Sequence, residues 1–208
     1  MLRIGVLVSG GGTNLQAIMD AIENEQIQDT QIAIVISSKA GAYALERAEK
    51  AGLTRAIVRK EDYSSSKAYD QALIEQLKQQ QVDLVLLAGF MSILGPSFIQ
   101  AFEHRIMNVH PALIPAFSGP GFYGLKVHKA ALDMGVKVSG ATVHFVTEEV
   151  DGGPIILQKP VMIMPGDTPE SLQQRIMEQA EWQIYPQAVN LFAQGRLEIQ
   201  GRQVVIKQ

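Results

Sequence analysis

Short apolar runs alternate with helical patterns along the first two-thirds of the chain. Runs rich in Val, Ile and Leu predict strands at Leu2–Val8, Gln31–Ser37, Arg55–Val58, Val82–Leu87 and Ile106–Val109. Between them, apolar residues recur at helical spacing, which predicts helices over Asn14–Glu25, Ala42–Ala51 and Lys67–Gln79. Alternating strands and helices, with nearly continuous apolar strands, are typical of a parallel sheet that is covered on both faces.

The pattern changes after Val109. A stretch rich in Pro and Gly, Pro111–Gly124, precedes a predicted helix over Leu125–Met134. Two longer strands are predicted next, over Val138–Val146 and Ile155–Met164. A long helix capped by Thr168 follows over Pro169–Ala193, and a closing hairpin around Gly201 covers Leu197–Ile206. Residues 1–208 are therefore predicted to form one α/β domain, a Rossmann-like, mostly parallel twisted sheet with helices on both faces and a mixed C-terminal edge.

Composition narrows the possible functions. The chain has 208 residues, a net charge of −3 and no cysteine, which excludes disulfides, thiolate metal sites and a cysteine nucleophile. The acidic balance argues against nucleic-acid binding. The longest apolar stretch, Val82–Leu94, contains Asp83 and is shorter than the roughly 20 residues that span a bilayer. We therefore expect a soluble, cytoplasmic protein without a membrane partner.

A glycine-rich loop, Ser9-Gly10-Gly11-Gly12-Thr13-Asn14, connects the first strand to a helix. Glycines let the backbone approach a ligand, and a helix N-terminus presents unpaired N–H groups to an anion. A tight turn would also use a glycine and a capping Asn, but three glycines exceed what a turn requires. Leu15 occupies the third glycine position of the G-x-G-x-x-G pattern, and no acidic residue ends the second strand. A monophosphate fits this loop better than a dinucleotide.

Asn108 and His110 lie two residues apart at the end of the fifth predicted strand, so their side chains point to the same face. Ligands of open α/β sheets bind at the carboxyl ends of the strands, which makes this pair a catalytic candidate. A single histidine is more often structural, and that alternative stays open. Asp151 lies in the turn-forming segment Val150–Pro154, where it either serves the turn alone or approaches His110 and keeps the imidazole protonated.

The remaining histidines and one apolar segment are weaker candidates. His144, on a predicted strand, is a candidate buried residue facing the cleft, whereas His104 and His128 are expected at the surface. The 4 histidines do not show the spacing of metal ligands, so no metal site is expected. The segment Leu87–Leu94 is interpreted either as core or as the wall of a pocket for a flat heteroaromatic ring.

Four motifs, in this order, resemble those of the phosphoribosylglycinamide formyltransferase family: S-G-G-G-T-N-L-Q-A-I, L-A-G-F-M-S-I-L, N-V-H-P-A-L-I-P and H-F-V-T-E-E-V-D-G-G-P-I-I-L-Q. The resemblance covers essentially the whole chain. It implies an enzyme of de novo purine biosynthesis that transfers the formyl group of 10-formyltetrahydrofolate, a co-substrate, to the amine of N1-(5-phospho-D-ribosyl)glycinamide. It also implies small-molecule substrates, no metal, and a monomer or homodimer.

The resemblance implies roles for individual residues as well. The formyl-transfer centre would consist of Asn108, His110 and Asp151. The ribonucleotide would be held by Gly11, Gly12, Thr13, Asn14 and Glu181. The folate would be bound, largely through backbone groups, by Met91, Ser92, Ile93, Leu94, Asn108, Thr147, Glu148, Glu149, Val150 and Asp151. Residues 1–110 would then be the phosphate-binding half and residues 111–208 the folate-binding half.

Two segments depart from the family pattern. Phe117–Lys126 is longer and more aromatic than in many members and is expected to be a mobile flap over the folate. Near Ser66 this chain has Lys67 where some members direct an Arg at the folate tail, so no contact to that tail is assigned.

Two other functions stay open. One is a formyltetrahydrofolate hydrolase, although such relatives carry an extra N-terminal domain and strand one here begins at Leu2; the other is a nucleotide-binding module without catalysis.

Overall fold

The computed structural model describes residues 1–207 and divides them into two compact units. The first unit is Met1–Asn108, and the second begins at Val109. This division falls two residues before the boundary that the sequence predicts between the phosphate-binding and folate-binding halves. The assignment of those functions to the two halves stays a prediction.

The first unit contains a parallel sheet with the strand order β3-β2-β1-β4-β5. The strands are β1 Leu2–Val8, β2 Thr30–Ser37, β3 Arg55–Ile57, β4 Leu84–Leu87 and β5 Ile106–His110, which continues into the second unit. The helices are α1 Thr13–Glu23, α2 Tyr43–Lys50, α3 Ser66–Gln79 and α4 Pro96–Ala101. Every residue of β4 is buried, as expected of a central strand in a sheet that is covered on both faces.

Most predicted elements of the first unit are confirmed, with ends that differ by one or two residues. The apolar pattern does not predict α4 or a short 3₁₀ turn at Lys60–Asp62. Helix α4 has only six residues and begins at Pro96, so its length gives little periodicity to detect.

The second unit combines antiparallel strands with three α-helices. Its further elements are α5 Leu125–Met134, β6 Val138–Phe145, β7 Ile155–Met162, α6 Pro169–Ile176, α7 Trp182–Ala193, β8 Leu197–Gln200 and β9 Gln203–Ile206. Strands β6 and β7 pair antiparallel, β8 and β9 form the predicted hairpin, and β9 runs parallel to β7. The α/β fold class, with its mostly parallel sheet and mixed C-terminal strands, is confirmed.

The single helix predicted over Pro169–Ala193 is wrong in one respect, because a π-helical turn, Met177–Glu181, separates α6 from α7. Pro186 lies inside α7; it has no N–H, and its ring crowds the carbonyl of Trp182. The π turn ends at Glu181, one residue before Trp182. The predicted Thr168 cap is confirmed: its hydroxyl accepts a hydrogen bond from the Ser171 N–H at 3.2 Å, and the Ser171 hydroxyl accepts one from the Thr168 N–H.

Within residues 1–207, the helices are all too short or too polar to cross a bilayer.

Candidate active site

The glycine-rich loop lies between β1 and α1, in the first unit. Gly12 has a left-handed backbone, with φ 71°, and a Cβ there would lie 2.6 Å from that of Ala44. The turn itself therefore requires Gly12. Gly10 and Gly11 have no such requirement, because a Cβ at either would meet nothing within 4 Å. The two extra glycines instead leave open space beside the backbone, as a bound anion would need.

The segment Met91–Leu94 follows β4 in the same unit. Met91 donates a backbone hydrogen bond to the Ser9 hydroxyl at 2.9 Å. At the other end, the buried Asp70 carboxylate accepts from the Gly95 N–H at 3.1 Å and from the Ser97 hydroxyl at 2.7 Å. Met91 and Ile93 are 54% and 71% exposed, so the interpretation of these two side chains as core is wrong. Fixed ends and exposed apolar side chains are features of a pocket wall.

His110 and Asp151 come together in the second unit. Nδ1 of His110 lies 3.5 Å from Oδ2 of Asp151, and both side chains are largely buried. Nε2 of His110 lies 2.8 Å from the carbonyl oxygen of Phe117, and the N–H of Gly119 donates to Oδ2 of Asp151 at 2.9 Å. Both ring nitrogens thus face oxygen acceptors. An imidazolium, which donates from both nitrogens, satisfies this arrangement.

The loop before β7 gives Asp151 its position. Asp151 has a left-handed backbone, with φ 55°, a conformation that Asp adopts more readily than most residues other than glycine. Gly153 packs so closely that a Cβ there would lie 1.8 Å from the carbonyl oxygen of Phe145. The N–H of Phe145 in turn donates to the carbonyl of Pro154 at 2.9 Å. The turn interpretation and the approach of Asp151 to His110 are therefore both correct, because the tight turn delivers the carboxylate.

His144 is buried on β6, as predicted, and lies near the same carboxylate. Its Nε2 lies 3.7 Å from Oδ1 of Asp151, and its Nδ1 lies 2.9 Å from the carbonyl oxygen of Phe145. The register between β6 and β7 shifts at this residue, which is typical of a bulge that re-aims a side chain. Burial lowers the pKa of His144, which favours the neutral imidazole.

His104 is exposed, as expected, but the predicted surface position of His128 is wrong. His128 is completely buried on α5, beside Val127 and Ala131. Neither of its ring nitrogens has a hydrogen-bond partner among the residues described. Burial, together with a smaller effect of the charge of His110, lowers its pKa to about 4. Its neighbours Val127 and Ala131, four residues apart, were the sequence signal that it lies on the inner face.

The other predicted site residues occupy separate places in the two units. Thr13 and Asn14 begin α1, and Glu181 is buried at the end of the π-helical turn. The segment Thr147–Val150 precedes Asp151 and is largely exposed. The contacts of Phe117 and Gly119 with His110 and Asp151 are the feature that sequence reasoning missed, because that segment departs from the family pattern.

Residues 1–207 show no group of His, Asp and Glu side chains arranged to hold a metal ion.

Comparison with known proteins identifies the family. A family model described as "Formyl transferase" matches residues 2–189. This chain belongs to the formyl transferase family. Among curated members, it is 44% identical to the phosphoribosylglycinamide formyltransferase of Haemophilus influenzae, over 96% of this chain and 91% of that protein. It is 42% identical to the enzyme of the same name from Escherichia coli strain K12, over 95% of this chain and 90% of that protein.

A solved structure agrees with this result. Glycinamide ribonucleotide transformylase 1 from Symbiobacterium toebii superimposes with a TM-score of 0.94 at 50% identity, covering 100% of this chain and 95% of the other. The family resemblance of the four motifs and the predicted fold class are thereby confirmed.

Proposed function

We propose that this protein transfers the formyl group of 10-formyltetrahydrofolate to the amine of N1-(5-phospho-D-ribosyl)glycinamide, in de novo purine biosynthesis. The products are the N-formyl ribonucleotide and tetrahydrofolate. The observation that carries this proposal is the buried His110–Asp151 pair, with 3.5 Å between Nδ1 and Oδ2, in a chain matched almost end to end by phosphoribosylglycinamide formyltransferases. It is a one-carbon transferase acting on small molecules, and the cytoplasm is its proposed location.

The reaction needs stabilisation of charge and movement of a proton. The amine forms a bond to the formyl carbon, the bond from that carbon to folate N10 breaks, the amine loses a proton and N10 gains one. The formyl oxygen carries negative charge in between. Asn108, two residues before His110 on β5, donates an amide hydrogen bond to that oxygen, and the His110 imidazolium adds positive charge.

Asp151 acts on the proton in this scheme. Its carboxylate holds His110 from the Nδ1 side and stabilises the imidazolium. Through water, it passes the proton of the attacking amine towards N10 of the folate. The tight packing at Gly153 supports an active role, because it fixes the turn that carries the Asp151 carboxylate.

The substrate contacts form the second part of the proposal. The ribonucleotide is held by Gly11, Gly12, Thr13, Asn14 and Glu181. The folate is held by Met91–Leu94, Asn108 and Thr147–Asp151. The open space at Gly10 and Gly11 and the fixed, exposed segment at Met91 support these assignments. We assign phosphate binding to residues 1–110, within one formyltransferase domain, and folate contacts to segments of both residues 1–110 and residues 111–208.

A hydrolase that transfers the formyl group to water is the second candidate. The same His110–Asp151 pair would serve it, but the glycine-rich loop favours a phosphorylated acceptor. One assay separates the two: release of tetrahydrofolate from 10-formyltetrahydrofolate, measured with and without the ribonucleotide. Release that depends on the ribonucleotide supports the transferase. Equal release in its absence supports the hydrolase, and no release at all would overturn both in favour of a binding module.

A further inference from the structure

Helix α2 holds the carbonyl oxygens of two consecutive residues in the glycine-rich loop. The N–H of Ala44, in the first turn of α2, donates to the carbonyl of Gly10 at 3.0 Å. One turn later on the same helix, Nε of Arg47 donates to the carbonyl of Gly11 at 2.9 Å. The first bond satisfies an N–H that a helix start leaves without a partner, since no side chain caps α2. The second is made by a charged donor and is the stronger kind.

These two bonds fix the direction of two N–H groups. In a planar trans peptide, the C=O of one residue and the N–H of the next point in opposite directions. Holding the Gly10 and Gly11 carbonyls against α2 therefore turns the N–H groups of Gly11 and Gly12 away from α2. Among residues 1–207, no protein acceptor takes either N–H. Two N–H groups that face away from α2, beside the open space at Gly10 and Gly11, suit the oxygens of an anion.

Arg47 is itself held in place. Its NH1 donates to the side-chain oxygen of Gln16 on α1 at 2.9 Å. Its guanidinium carbon lies 5.0 Å from the centre of the Tyr43 ring, a cation–π distance. Because Arg47 is restrained on three sides, the Gly11 carbonyl to which it donates is restrained as well.

We propose that Arg47 is a positioning residue for the phosphate of the acceptor substrate, because it aims the N–H of Gly12 at that phosphate; this inference rests on the proposed function. Arg47 acts through the Gly11–Gly12 peptide, and its guanidinium adds positive charge near the loop. Without Arg47 the Gly11–Gly12 peptide is free to rotate, so part of the binding free energy of the phosphate is lost in ordering that peptide.

The experiment compares Arg47→Met, which keeps an apolar stem but no donor, with Lys50→Ala. Lys50 lies on the same helix, 5.8 Å from the same Tyr43 ring, so its loss removes one positive charge without touching the loop. We expect Arg47→Met to raise KM for the ribonucleotide about tenfold, the loss expected for one good charge-assisted contact. Its kcat and its KM for the folate should stay within about twofold of wild type. Lys50→Ala should leave all three constants unchanged. Equal KM values for Arg47→Met and wild type would overturn the inference.

A second substrate separates positioning from a merely structural role. Glycinamide riboside, which lacks the phosphate, should be used equally well by wild type and Arg47→Met. A similar loss with both acceptors would mean that Arg47 only joins α1 to α2. In Arg47→Lys the charge remains, but an ammonium lacks the fork that serves Gly11 and Gln16 together, so an intermediate KM is expected. A full return to the wild-type KM would assign the effect to charge alone and overturn the positioning role.

Inorganic phosphate tests the inference without catalysis. Added phosphate should shift the backbone amide signals of Gly11 and Gly12 in the nitrogen-15 NMR spectrum of the wild type, and much less in Arg47→Met. If wild type transfers no formyl group but shows these shifts, the proposed function fails and the anion site stands. If it transfers formyl groups and phosphate moves neither signal, the inference about Arg47 fails and the proposed function stands.

Discussion

Nδ1 of His110 lies 3.5 Å from Oδ2 of Asp151, and the same carboxylate oxygen accepts the N–H of Gly119 at 2.9 Å. One buried oxygen thus serves both the candidate catalytic histidine and the backbone of the segment that follows β5. Removing its charge should affect turnover far more than folding.

Asp151→Asn keeps the size of the side chain and removes its charge. We expect kcat to fall about a hundredfold or more, because the imidazolium of His110 and the proton path both lose their carboxylate. Steady-state kinetics with both substrates, together with a thermal unfolding curve, measure the effect. The matched control is Asp133→Asn, which changes an exposed aspartate that pairs with Lys129 and should retain wild-type kinetics. A normal rate from Asp151→Asn would contradict the assigned role.

Asn108→Ala removes the amide proposed to bind the developing oxyanion. Loss of one such donor costs around 3–4 kcal/mol of transition-state stabilisation in other enzymes, so kcat should fall roughly 10²–10³-fold. KM for the ribonucleotide should change little, since the amide acts mainly in the transition state. A kcat close to that of wild type would exclude this role for Asn108.

His128 makes stability depend on pH. The unfolded imidazole takes up a proton below about pH 6.5, whereas burial lowers the folded pKa to about 4. Between these values the unfolded chain binds more protons, so stability falls as the pH drops from about 6.5 to about 4. Across this pH range, His128 alone lowers the free energy of unfolding by about 3 kcal/mol.

Urea unfolding at pH 7.0 and at about pH 4.5 measures this dependence. The loss of unfolding free energy on acidification should be smaller in His128→Leu than in wild type, by about 2 kcal/mol. The control is His104→Asn, which changes an exposed histidine to a residue that tolerates the same left-handed backbone. On acidification it should lose as much unfolding free energy as wild type does. Identical losses in wild type and His128→Leu would show that the buried imidazole does not set the acid sensitivity.

Gly153→Ala tests the turn that carries Asp151. The new Cβ would lie 1.8 Å from the carbonyl oxygen of Phe145. This oxygen belongs to the backbone, so no change of side-chain rotamer can relieve the clash. We expect a loss of about 2 kcal/mol or more in unfolding free energy, together with reduced kcat. Gly41→Ala is the control, since a Cβ there meets nothing within 4 Å, and it should change stability by less than about 0.5 kcal/mol. Equal stabilities of the two variants would show that the turn at Gly153 tolerates a side chain.

Hydrophobic periodicity predicted most of the helices and strands, and it predicted α5 with the observed bounds. It failed where local pattern carries no signal. Helix α4 has too few residues for a period, and apolar spacing does not separate the five-residue π-helical turn at Met177–Glu181 from the helices on either side. The burial of His128 was predictable in principle, because its apolar neighbours Val127 and Ala131 mark the inner face of α5.

The candidate site was predictable in its residues but not in its contacts. Same-face spacing on a strand marks Asn108 and His110, and turn chemistry marks Asp151. The approach of Asp151 to His110 is a long-range contact that no local pattern encodes. The contacts of Phe117 and Gly119 arise from a segment that departs from the family motif, so the resemblance gave no guide to them.

The most direct test of the central claim follows the formyl group itself. Wild-type protein is incubated with 10-formyltetrahydrofolate labelled with carbon-13 in the formyl carbon, together with the ribonucleotide, and the products are examined by NMR. We predict that the label appears as an N-formyl amide on the ribonucleotide, in amounts equal to the tetrahydrofolate released. Label that appears instead as free formate, whether or not the ribonucleotide is present, would contradict the claim that this protein is a transferase.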